Sequence, residues 1–112
     1  MKLPNPDLAV VELAKLRDYC LNPAHPRGRH KARVFAAALG LTSQDAAMLQ
    51  GALLGAARTN EVLLGEIDSY GQRYVLDFNM TTGMGTATIR SHWIILLGND
   101  FARLTSCYVQ AE

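Results

Sequence analysis

Apolar residues recur every three to four positions in the first half of the chain and every second position later. Leu8, Val11, Leu16, Tyr19 and Cys20 form one apolar face, with Glu12, Lys15 and Asp18 spaced for the other. That pattern predicts a helix starting near Asp7, or slightly later given the β-branched pair Val10-Val11. Pro4 and Pro6 keep the residues before it extended, and Pro23 stops it at Asn22. Val34, Phe35, Ala38 and Leu39 predict a second helix from about Arg29 to Leu39, with Gly40 as a left-handed stop. Thr42 and Asp45 make a capping box for a third, whose core face is Ala46, Leu49, Leu53, Ala56 and Ala57. It runs to about Arg58. Gly51 and Gly55 weaken this helix and are expected to pack closely on another element.

Beyond Ile67 the period changes. Tyr74, Leu76 and Phe78 alternate with Arg73, Val75 and Asp77, the mark of a half-buried strand. Asn79 to Gly85 reads as a flexible hairpin loop, Thr86 to Leu97 as a long β-rich run, Gly98 to Asp100 as a turn, and Arg103 to Val109 as the last strand. The apolar run from Ile94 to Leu97 leaves open which face of the last two strands is buried. Short loops make the strands antiparallel. The fold class is α+β: N-terminal helices packed on a three- to four-stranded antiparallel sheet. One domain, 1–112, divides into a helical part, 7–60, and a sheet part, 64–110.

Composition adds limits rather than a function. The chain has 112 residues, 49% hydrophobic and 19% charged, enough for a folded core. A net charge of +1 gives no global field for nucleic acid, so anion binding must come from local clustering. No apolar stretch approaches the ~18–20 residues of a membrane span, and Met1 to Pro6 is not a signal peptide. The expected setting is cytoplasmic, with delivery into a target cell left open. Cys20 and Cys107 read as buried, reduced thiols; no metal-binding spacing occurs and no cofactor is expected.

The local cluster is Leu21 to Phe35, which holds two prolines, a glycine, two histidines and four cations. No Asp or Glu lies between Asp18 and Asp45. Free N–H groups at a helix start, beside cations, favour an anion. Metal-independent RNA cleavage needs little more than these residue types: an acid and a base near neutrality, cations for the phosphorane and hydroxyls to position it. The catalytic candidates are His25 or His30 as acid/base, with Lys31, Arg90, Thr105 and Tyr108. Arg27, Arg29, Arg33 and Arg73 are candidates for holding substrate. Each also has a plain structural reading: a rigid turn histidine, solvated cations, a good strand former, a core-edge tyrosine. Ser91 and His92 are adjacent, so in a strand they point to opposite faces and cannot pair. His92 beside Trp93 reads first as packing.

Tyr19, Leu21, Asn22-Pro23, His25-Pro26, Gly28, Lys31-Ala32 and Phe35 resemble the signature of an uncharacterised bacterial domain family. Tyr74 to Asp77, Arg90 to Ile94 and Arg103 to Tyr108 resemble it too. That family carries no established activity. More distantly, the chain is similar to the barnase–EndoU–colicin–RelE group of small ribonucleases, which occur in polymorphic toxins and toxin–antitoxin pairs. The resemblance implies that His25 and Lys31 act in catalysis or phosphate binding, with Arg90, Thr105 and Tyr108 contributing from the sheet. The partners it implies are RNA and a neutralising immunity or antitoxin protein. Two rivals stay open: a non-catalytic interaction module and an inactive member of a toxin–antitoxin pair. An enzyme predicts that the candidates line one cleft; an interaction module predicts scattered cations and an open apolar sheet edge.

Overall fold

The computed structural model describes residues 1–110; the last two residues of the expected domain lie outside them. A 3-10 turn, Pro6–Leu8, precedes a short helix α1, Leu13–Lys15, which continues as a π-helical turn, Leu16–Cys20. Helix α2 is Arg29–Leu39, and a 3-10 turn, Ser43–Asp45, leads into α3, Ala46–Thr59. Strands β1, Leu63–Ile67, β2, Gly71–Thr82, β3, Gly85–Leu96, and β4, Arg103–Val109, form one antiparallel sheet in the order β1-β2-β3-β4. The fold is α+β, with the helices first.

The first helix departs from expectation, because Val10 takes strand geometry instead. Its N–H donates to the Ala102 carbonyl and its own carbonyl accepts from Leu104 N–H, both at 2.9 Å. β-branched residues favour this extended state, and the bridge covers the start of the β4 edge. The predicted C-cap holds: Gly40 has φ 69°, a left-handed conformation that glycine adopts without steric penalty. So does the capping box of Thr42 and Asp45. The loop expected over Asn79 to Gly85 is shorter. Strand pairing continues to Thr82 and Gly85, and the Thr82 hydroxyl ties the hairpin tip to the Leu39 carbonyl at 2.7 Å. Gly51 and Gly55 are exposed, and a Cβ on either would meet nothing, so the expected close packing is absent.

One core joins the helices to one face of the sheet. Leu16, Phe35, Leu39, Leu49 and Leu53 pack with Tyr74, Leu76, Ile89, Trp93, Leu104 and Cys107. This settles the burial of the last strands: Ile89, Ser91 and Trp93 point inward. Ser91 is the one buried polar side chain among the described residues. It donates to the Leu76 carbonyl at 2.7 Å and accepts from Trp93 Nε1 at 2.9 Å. The opposite face of the sheet carries Arg73, Val75, Asp77, Arg90 and His92, all partly exposed.

Candidate functional site on the open sheet face

Strand alternation sends Arg90 and His92 to the open face. Arg90 lies opposite Asp77 on β2 and Tyr108 on β4; His92 lies opposite Val75 and Ser106. The His92 imidazole Nε2 and the Tyr108 hydroxyl share a hydrogen bond of 3.0 Å. Arg90 forms a bidentate pair with Asp77, both contacts 2.9 Å, which fixes the guanidinium beside them. Lys31 reaches this cluster from α2: its Nζ donates to the hydroxyls of Tyr19 and Ser106, each at 3.0 Å, and lies over the rings of Tyr19 and Tyr108.

The loop before α2 is built to deliver Lys31. Asn22 Oδ1 accepts from Ala24 N–H at 2.9 Å, making an Asx turn. His25 Nδ1 accepts from the N–H groups of Arg27 and Gly28, both at 3.0 Å, and so satisfies two donors at the helix start. The His25 ring stands edge-on to Tyr19, 4.8 Å between centroids. Gly28 packs on the Tyr19 backbone, so α2 starts against the residue whose hydroxyl receives Lys31.

Burial, followed by the charges of Arg90 and Lys31, pushes the His92 pKa below its ordinary 6.5. The shift favours the neutral imidazole, the form able to take a proton. The hydrogen bond from Arg90 holds Asp77 below the usual carboxylate range. Behind the site lie two free, buried thiols, Cys20 and Cys107; the neighbouring Cys107 lowers the Cys20 pKa, with burial opposing.

The sequence candidates separate accordingly. Lys31, Arg90 and Tyr108 come together. Thr105 sits at a β-bulge, its hydroxyl donating to the His92 carbonyl at 3.1 Å. Arg73 flanks the cluster and pairs with Asp68 at 2.7 Å. His25 stands edge-on to Tyr19, its Nδ1 occupied by the N–H groups of Arg27 and Gly28. His30 is exposed at the mouth of a cleft between α2 and β4. Arg27, Arg29 and Arg33 are exposed, and none belongs to an ion pair among the described residues. Ser106 is a candidate that sequence reasoning did not name, and His92 one that it read first as packing; the signal for both is a polar residue at an outward strand position.

Two depressions flank the cluster. One, of about 330 Å³, is lined by Arg73, Val75, His92, Thr105 and Ser106 with Glu66 at its side. The other, of about 360 Å³, lies between His30, Lys31, Val34, Tyr108 and Val109. Among the described residues there is no group of three His, Cys, Asp or Glu side chains able to hold a metal. Among the described residues no helix is long and apolar enough to cross a membrane.

A small α+β domain with helices on one sheet face and a histidine–tyrosine pair among cations on the other is the class these features define. The chain belongs to the family described as a domain of unknown function (DUF6883), matched over residues 2–111. No curated protein matches it. Among solved structures it is similar to a chain of the contact-dependent growth inhibition toxin–immunity protein complex from Klebsiella pneumoniae 342. The TM-score is 0.73 and the identity 17%, over 90% of this chain and 99% of that one. At that identity the likeness is one of fold.

Proposed function

We propose that this domain is a metal-independent endoribonuclease of toxin type, with its site on the open sheet face. The observation that carries the reading is the His92–Tyr108 hydrogen bond of 3.0 Å with Lys31 and Arg90 beside it. In the step envisaged, an RNA 2′-oxygen attacks phosphorus and the P–O5′ bond breaks. His92 takes the 2′-hydroxyl proton. The 5′-oxygen leaves with the Tyr108 proton, and His92 returns its proton to the phenolate, so the enzyme gains none. Lys31 and Arg90 stabilise the charged phosphorane, and Ser106 orients it. An enzyme of this kind needs a neutralising partner, and the fold's likeness to a chain of a toxin–immunity complex supports one.

A second reading has its own observation. β1 is an edge strand whose Leu63, Leu64 and Ile67 are 67%, 62% and 73% exposed. Such an edge favours pairing with another protein, as a non-catalytic module or an inactive toxin–antitoxin member would use it. Induced expression separates the two. Growth arrest with RNA fragmentation, abolished by Lys31→Ala and His92→Ala in folded protein, supports the enzyme. Intact RNA and normal growth with a folded wild type move the assignment to the interaction module.

A further inference from the structure

We infer that the cleft between α2 and β4 is a nucleobase subsite for the nucleotide flanking the cleaved phosphate; this deepens the ribonuclease reading and rests on it. The cleft holds about 360 Å³, within the usual range for small-ligand sites, about 300–1,000 Å³. It is lined by Val34 and Lys31 of α2 and by Tyr108 and Val109 of β4, with the exposed His30 beside them. An apolar cleft lined by a tyrosine and a histidine suits a base, which stacks on such rings when unpaired.

Position makes the assignment specific to RNA. Tyr108 presents its hydroxyl to His92 and also lines the cleft, so a base there lies one side chain from the reacting phosphate. Lys31 lines the same cleft and bonds Ser106, which lines the depression beyond. Arg29 and Arg33 leave the same helix, exposed and without acidic partners among the described residues, in position to follow a phosphate backbone. A protein side chain would also fill an apolar cleft, but it gives no use to those cations.

The test is a backbone-amide NMR titration of the full chain with the four nucleoside 3′-monophosphates and with inorganic phosphate. The nucleotides are expected to shift Val34 and Val109 as well as Lys31 and Ser106, and to bind about tenfold more tightly than phosphate. Val34→Trp, filling the cleft, should bring nucleotide affinity down to that of phosphate and leave phosphate binding unchanged. His30→Ala, at an exposed position, should weaken nucleotides alone, so the inference does not depend on one variant folding. Nucleotides that bind no tighter than phosphate, with Val34 and Val109 unmoved, overturn the subsite while Lys31 shifts preserve the ribonuclease reading. No shift at Lys31 with any probe overturns both.

Discussion

A Cβ placed on Gly28 would lie 2.1 Å from the Tyr19 carbonyl oxygen. No side chain fits there, so the start of α2 and the end of the first helical segment can touch only through glycine. The contact sets Tyr19 under Lys31. Gly28→Ala is therefore expected to destabilise the fold by about 1–3 kcal/mol, toward the upper end because the obstructing atom is backbone. Chemical denaturation would show it as a lower midpoint.

His25 gives a sharper test of role. As a cap it needs only an acceptor where Nδ1 stands, and asparagine supplies one. His25→Asn is expected to retain most activity and stability, whereas His25→Ala should lose about 1 kcal/mol. If His25→Asn is as inactive as His92→Ala, the imidazole itself takes part in the chemistry.

The pH dependence follows from His92. Its pKa is lowered on folding, so the unfolded chain binds the proton first. Its contribution is fully present above pH 6.5, the unfolded value, and is lost as pH falls from there through the folded value. Activity that needs the neutral imidazole should fall on an acidic limb centred below pH 6.5, and the residual activity of His92→Gln should lack that limb. Asp77, also lowered, contributes above its ordinary 3.8 and loses its contribution as pH drops below it.

Ser91 is expected to matter for stability alone. Replacing it with alanine removes the partner of Trp93 Nε1 and of the Leu76 carbonyl, both buried. The expected cost is about 1–3 kcal/mol in thermal or denaturant unfolding, with RNA cleavage per folded molecule unchanged.

Much of this fold is legible in the sequence because local chemistry dictates it. Gly40, the Thr42–Asp45 capping box and the Tyr74-Leu76-Phe78 alternation each act within a few residues. Val10 was not legible as a strand residue, since its partners Ala102 and Leu104 are distant in the chain. The alternation of Ser91 and His92 correctly separates them, but it does not say that His92 faces Tyr108. That pairing depends on the register of β3 against β4, set in part by the bulge at Thr105. Likewise, Lys31 is marked by its loop, while its partner Ser106 is a plain strand residue until the two elements meet.

The most direct test is cleavage of single-stranded RNA by purified protein in excess chelator, with the product ends identified. The account predicts 2′,3′-cyclic phosphate and 5′-hydroxyl ends. It also predicts losses of about 10²–10⁴-fold for His92→Ala and about 10²–10³-fold for Lys31→Ala, both folded by circular dichroism. No cleavage by folded wild type, or cleavage undiminished in His92→Ala, would contradict it.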